Sequence, residues 1–169
     1  MAGGDPYIRA LMRTISASEA NDPQPYSLLY GRRRIADLSH HPDDCVPIAS
    51  GPYRGDCTTA AGRYQLLSTT WTEKVARYGV VEGFPSFTPV NQDAVVYAWL
   101  RDPSAWDMDL ESHLRAGEIQ PVLAALSSTW TSLGQGLEPN VWTPWLPMLY
   151  RYFLRQELTQ SAASLKTEW

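Results

Sequence analysis

The chain has 169 residues and a mass of 19.0 kDa, enough for one domain with a single core. A hydrophobic share of 44% against 19% charged residues excludes intrinsic disorder. A formal net charge of −4 removes any global electrostatic case for nucleic-acid binding, and no apolar run approaches the ~18 residues that cross a bilayer.

Met1-Ala2-Gly3-Gly4 reads as a flexible lead or an appended start, not as a signal peptide, because it runs directly into an amphipathic helix. That helix is expected from about Asp5 to Ala20, with Pro6 in its first turn and Ile8, Leu11, Met12 and Ile15 as its apolar stripe. Asn21-Asp22-Pro23 stops it, since proline disfavours helix in the residue before it. Glu19 continues the stripe. Partial burial there would disfavour the carboxylate, and the negative end of the helix dipole would push the same way. Both favour a carboxylic acid still protonated near neutral pH, which glycosidic cleavage needs for its leaving oxygen. The same position also suits a solvated Glu on a fraying turn, and pattern alone leaves both readings open.

Tyr26–Tyr30, then Gly31 with Arg32, Arg33 and Arg34, then Ile35–Leu38, reads as a small β-hairpin. Its basic tip is either a solvated turn or a contact for an acidic substrate. Cys45 and Cys57 flank a Pro-, Gly- and Asp-containing loop. Either they are free thiols or they form a disulfide, which would contribute about 2–3 kcal/mol and imply an oxidising, extracytoplasmic setting. No CxxC and no His pair at ligand spacing accompanies them, so neither a zinc site nor any other cofactor is expected. His40, His41 and His113 read as surface or structural residues.

Ala60-Ala61-Gly62-Arg63-Tyr64-Gln65 follows, with small residues that allow close backbone approach to a ligand. Gln65 offers the donor and acceptor that sugar hydroxyls and N-acetyl groups require. Trp71 suits either the core or a sugar platform, since Trp and Tyr stack on the flat C–H faces of sugar rings. Helices are expected over Ser68–Tyr78, with Thr70 and Glu73 at capping-box spacing, and from Thr88-Pro89 through Trp99. Two shorter helices, Leu110–Ala116 and Glu118–Ser127, are divided by Gly117. A last one opens at Thr143-Pro144 and runs to about Glu157, burying Leu146, Leu149, Tyr150, Phe153 and Leu154. The expected fold is α+β and mostly α: one domain over 1–169, in which a helical lobe and a small β-hairpin lobe enclose a cleft.

Ser18-Glu19 combined with Ala60-Ala61-Gly62-Arg63-Tyr64-Gln65-Leu66-Leu67-Ser68-Thr69-Thr70-Trp71 resembles the phage lambda-type lysozymes, endolysins that are lytic transglycosylases of the lysozyme-like superfamily. Tyr26, Gly31, Asp37-x-Ser39-x-His41-Pro42, Phe87-x-Pro89-x-x-Gln92-Asp93-Ala94-Val95 and Trp130-Thr131-Ser132-Leu133 extend the likeness in order, over roughly residues 8 to 136.

The resemblance implies cleavage of the β-1,4 bond between N-acetylmuramic acid and N-acetylglucosamine, leaving a 1,6-anhydromuramoyl end. It assigns the acid/base role to Glu19. Gln65, Tyr64, Ser39, Tyr26 and Gly62 are the expected substrate-binding residues. The partner is the peptidoglycan glycan strand, in the periplasm or cell wall, and the protein is expected to act as a monomer, without nucleic acid or a membrane span. One departure bears on mechanism: the acid common beside the family's hairpin tyrosine is Ser27 here, which removes a candidate second carboxylate. Asp37 remains, in a setting that suits a turn capping its own backbone. Leu133-Gly134-Gln135-Gly136 replaces the family's Leu-Pro-Gly. Two alternatives stand beside the transglycosylase: a water-using muramidase, which normally needs a second carboxylate, and a non-catalytic peptidoglycan-binding module.

Overall fold

The computed structural model describes residues 3–79, 86–134 and 143–166. The expected Leu133–Gly136 departure therefore lies partly outside the described residues. The fold is mostly helical, with a small antiparallel strand pair. The chain forms two compact units, one made of Met1–Ser18 with Leu100–Trp169 and the other of Glu19–Trp99.

In the first unit, α1 (Pro6–Glu19) starts where the Asp5 carboxylate accepts the Tyr7 and Ile8 amides at 2.9 and 3.1 Å. Ile8, Leu11, Met12 and Ile15 are buried, as their helical spacing requires. Arg9 is buried as well. Its guanidinium donates to Glu157 at 2.7 Å and to Ser161 Oγ at 2.8 Å, and Arg13 donates to Glu157 at 3.0 Å and Gln156 at 2.6 Å. Burial works to raise the Glu157 carboxyl, but the two arginines outweigh it and hold the group below the ordinary glutamate range.

These partners lie on the helix α6 (Leu146–Lys166), which continues past the expected end at Glu157. The stripe read from sequence is buried at Leu146 and Tyr150 but only half-buried at Leu149, Phe153 and Leu154. The Arg13 guanidinium lies 4.3 Å from the Phe153 ring centre. Three turns of polar and ionic contact past Tyr150 are what an apolar pattern does not register.

Helix α4 (Leu110–Arg115) is capped by Asp109, which accepts the Ser112 amide at 3.2 Å, and α5 (Ile119–Leu126) follows after Gly117 at φ +82°. Leu110, Leu114, Ile119, Val122, Leu123 and Leu126 supply core, and Trp130 stacks on Trp106 with ring centres 6.1 Å apart.

In the second unit, the expected hairpin is reduced to less than a sheet. Tyr26–Leu38 holds 3₁₀ turns at Pro25–Ser27 and Tyr30–Arg32 and a single antiparallel bridge, Leu28 to Arg34. Pro25 favours the first turn, and Gly31 at φ +71° with Arg32 at φ +65° reverses the chain too tightly for strands to extend.

The strand pair lies instead in the cysteine loop, where β1 (Val46–Pro47) pairs with β2 (Cys57–Thr58). Cys45 and Cys57 form a disulfide there, which settles the choice between bridge and free thiols. Helix α2 (Ser68–Tyr78) has the expected span but no capping box. Leu67 is its cap residue, Thr59 Oγ1 accepts the Ser68 amide at 3.1 Å, and Glu73 turns to Lys74 at 2.6 Å. Helix α3 spans Pro89–Leu100. Trp71 is 3% exposed and packs edge-on against Phe87, so it serves the core.

Glu157→Gln is expected to lower the unfolding free energy by about 3 kcal/mol at pH 7, because it leaves buried Arg9 without its counter-charge. Urea denaturation of the variant checks this, and a change below about 1 kcal/mol would show that the pair is dispensable.

Candidate active site

Glu19 is the last residue of α1 and the first of the second unit, and it is half-buried. The residue before it is fixed from within the first unit. Ser18 Oγ donates to Ser132 Oγ at 2.8 Å, and Thr143 Oγ1 donates to the Ser132 carbonyl at 2.9 Å. The helix therefore ends at a defined point rather than fraying.

The remaining expected residues belong to the same unit as Glu19, and most of them meet at one turn. Leu28 and Ala61 carry its frame: Gly62 N–H donates to the Leu28 carbonyl at 2.8 Å, and Ala61 and Leu66 exchange backbone bonds at 3.0 and 2.9 Å. Gly62 has φ +74°, and a Cβ there would lie 2.4 Å from Gln92 Oε1 and 2.7 Å from the Phe87 ring. The glycine was expected to let a ligand approach the backbone. In the fold, it is α3 and Phe87 that come close.

Gln92 explains why. Fully buried, it accepts the Arg63 amide at 2.9 Å and donates to the Phe87 and Tyr26 carbonyls at 2.7 and 3.0 Å. Beside it, Asp93 is 3% exposed and accepts three side chains: Tyr26 Oη at 2.9 Å, Tyr64 Oη at 2.7 Å and Arg63 Nη1 at 3.0 Å. Arg63 Nη1 also donates to Tyr26 Oη at 2.7 Å. Burial alone would lower the Arg63 pKa, but the oxygens of Tyr64, Asp93 and Tyr26 around it reverse the effect and hold the guanidinium charged. Burial also pushes both tyrosine hydroxyls above their ordinary value, Tyr64 the further, so they are neutral donors.

Tyr64 is 1% exposed, so it sits behind the turn and not on a substrate-facing surface. Tyr26 is half-buried, with its hydroxyl engaged. Gln65 is a non-glycine residue at φ +46°, and its Nε2 donates to the Gly62 and Leu28 carbonyls at 2.9 and 3.3 Å. Of the donor and acceptor expected from this amide, the donor is therefore held by the turn itself. Ser39 stands apart from this cluster: its Oγ donates to Asp37 at 2.8 Å, and its amide donates to the other Asp37 oxygen at 2.8 Å. Asp37 thus caps its own turn, and those bonds hold its carboxyl below the usual range.

His41 is buried in a structural role. Its Nδ1 accepts the Asp43 amide at 3.1 Å, so Nε2 carries the proton donated to the Leu66 carbonyl at 2.9 Å. Among the described residues, no group of His, Cys, Asp and Glu is placed to hold a metal.

Asp93 and Gln92 were not singled out as site residues in the sequence. They entered only as part of the family likeness, and a mid-helix Gln-Asp pair shows no site role until the tertiary structure turns it toward residues near 26 and 63.

Asp93→Asn leaves the charged Arg63 without its counter-ion and is expected to cost about 3 kcal/mol of stability. Urea unfolding measures this; a loss under about 1 kcal/mol would mean the hub is not held by charge. Burial lowers the His41 pKa below the ordinary 6.5 or so. The unfolded chain therefore takes up a proton first, and stability is full above that pH and falls as pH drops through it. An NMR titration should show the Nε2–H tautomer and a midpoint below the ordinary imidazole value; a midpoint at or above that value would refute the assignment.

A family model described as Endolysin matches residues 9–140. The endolysin of Escherichia phage lambda is 32% identical over 108 residues, covering 64% of this chain and 60% of that protein's own length. The endolysin of Escherichia phage P2 is 32% identical over 132 residues, covering 72% of this chain and 74% of that protein. In structure, the chain is similar to the lysozyme from bacteriophage lambda, with a TM-score of 0.66 at 23% identity, covering 93% of this chain and 97% of that one. A second solved form, bacteriophage lambda lysozyme complexed with a chitohexasaccharide, gives a TM-score of 0.68 at 24% identity, with 90% and 97% coverage. The fold is thus that of lambda lysozyme, and the chain belongs to the endolysin family.

Proposed function

We propose that the protein is a peptidoglycan-cleaving glycosidase, and specifically a lytic transglycosylase in which Glu19 is the single acid/base catalyst. The observation that carries this reading is the placement of Glu19, half-buried at the end of α1 directly after a serine anchored at 2.8 Å to Ser132. Membership of the endolysin family supports the substrate class.

Glu19 begins protonated and gives its proton to the glycosidic oxygen as the bond from C1 of N-acetylmuramic acid breaks. The N-acetylglucosamine unit leaves as an alcohol, and C1 carries the positive character. Glu19, now a carboxylate, accepts the proton of the same sugar's 6-hydroxyl as O6 bonds to C1. One proton leaves and one returns, no water is consumed, and a 1,6-anhydro end results. A second carboxylate has no part in this scheme, which fits Ser27 beside Tyr26 and an Asp37 already engaged by Ser39.

Gln65 faces the glycan through its Oε1 in this reading, with no hydrogen bond to that oxygen from other described residues. Tyr64, Tyr26 and Gly62 act as positioning residues that hold the Gln65 turn, and Ser39 flanks the strand from its own turn. The protein acts on the cell wall; no helix among the described residues is long and apolar enough to cross a membrane.

Glu19→Gln is expected to reduce release of soluble muropeptides from purified sacculi by at least about 10³-fold while wall binding persists, and mass spectrometry should find anhydro ends in wild-type products. Reducing ends would make the enzyme a muramidase that uses water. Binding without any turnover by the wild type would make it a glycan-binding module, and undiminished cleavage by Glu19→Gln would remove that residue from the mechanism.

A further inference from the structure

The turn Leu29–Arg34 carries three consecutive arginines, and they are not equivalent. Arg34 is committed to structure: it donates to Asp22 at 2.7 Å and to the Gln24 carbonyl at 2.9 Å. The Gln24 amide and Arg34, with a weaker contribution from Arg32, hold Asp22 below the ordinary carboxylate range. Arg32 and Arg33 are exposed, and neither makes a side-chain hydrogen bond or ion pair among the described residues. Arg32 is held at φ +65° directly after Gly31 at φ +71°, a backbone geometry that costs a non-glycine residue about 1–2 kcal/mol. A simple solvated tip has no need of a strained arginine where glycine or asparagine would sit more easily.

This turn is built onto the frame of the Gln65 turn. Leu29 N–H donates to the Arg33 carbonyl at 2.9 Å, and Arg32 N–H donates to the Leu29 carbonyl at 3.1 Å. Leu29 in turn bridges Ala61, Tyr30 N–H donates to the Ala60 carbonyl at 3.3 Å, and Leu28 O accepts both Gly62 N–H and Gln65 Nε2. The backbone that carries Arg32 and Arg33 is therefore tied to the same bridge as Gln65.

Peptidoglycan sugars are neutral, and the negative charge beside a strand is carried by the carboxylates of the short peptides on each muramic acid lactyl group. A protein of net charge −4 is repelled by such a polymer unless it offers local positive charge. We infer that Arg32 and Arg33 form a subsite for the peptide-stem carboxylates of the strand being cut, so that the enzyme selects stem-bearing peptidoglycan over the naked glycan. This rests on the glycan-cleaving reading above and specifies the substrate of the same site.

The test compares the wild type with Arg32→Asn/Arg33→Gln, in which asparagine keeps a residue tolerant of positive φ at the turn. Three soluble strand preparations serve as substrates: intact stems, stems amidated at their carboxylates, and strands stripped of stems by an amidase. Cleavage is measured directly, and binding is measured at 4 °C in the Glu19→Gln background. On intact stems the double variant should bind about tenfold more weakly at low salt, and the wild-type advantage should shrink as salt is added. On amidated and stripped strands the two proteins should bind and cleave alike.

Equal binding of intact stems by both proteins would overturn the subsite. So would an equal loss on all three substrates, which would place the arginines in sugar contact or in folding. The outcomes separate the two readings: discrimination by charge without cleavage keeps the subsite and removes the enzyme, whereas cleavage without discrimination does the reverse.

Discussion

The arrangement around the Gly62–Gln65 turn depends on one buried carboxylate. Asp93 accepts from Tyr26, Arg63 and Tyr64, and each of those side chains comes from a different part of the turn or its partner segment. A lone carboxylate at 3% exposure would be strongly destabilising. With a charged guanidinium and two phenol donors around it, its lone pairs are satisfied and the cost is offset. The converse also holds: Arg63 has a buried Nε with no partner, so its tolerance of burial rests on what its Nη1 finds in Asp93 and Tyr26.

This hub converts a loop into a rigid support. Gln65 occupies a left-handed conformation that loops adopt only when their surroundings over-determine them. Gln92 from the helix behind, the Leu28 carbonyl from the segment in front and the Ala61–Leu66 bridge at its base supply those surroundings. The proposed single-carboxyl mechanism needs such support, because a substrate misplaced by about 1 Å loses the alignment that proton transfer requires. Glu19 receives its own support from a separate source, the Ser18–Ser132–Thr143 contacts.

Much of the frame was legible in the sequence because it is written in short-range rules. Helical spacing of Ile8, Leu11, Met12 and Ile15, a Thr88-Pro89 start and Gly117 as a divider all act within a few residues, and those helices lie where they were expected. The hairpin was not legible. Two short apolar-rich segments, Tyr26–Tyr30 and Ile35–Leu38, around Gly31 suggested a hairpin, whereas Pro25 and the tight Gly31-Arg32 reversal limited pairing to one bridge. The site was legible as a motif but not as a mechanism. The resemblance assigned Tyr64 to substrate binding, and only a carboxylate 29 positions away reveals that it points inward. Long-range polar networks leave no periodicity, so Gln92 and Asp93 entered the reading as part of a family likeness and not as the hub of the site. The same holds for Glu157, whose arginine partners lie 148 and 144 positions earlier.

The close fit of Gly62 beneath Gln92 also limits how such a sequence can vary. Any side chain at position 62 collides with the amide that organises the turn, and shortening Gln92 to make room releases the Arg63 amide and two carbonyls at once. Neither position can drift freely. A mutational library built on this scaffold should therefore return glycine at position 62 whatever it carries at 92, because the Phe87 ring and the positive φ exclude a side chain there independently of Gln92.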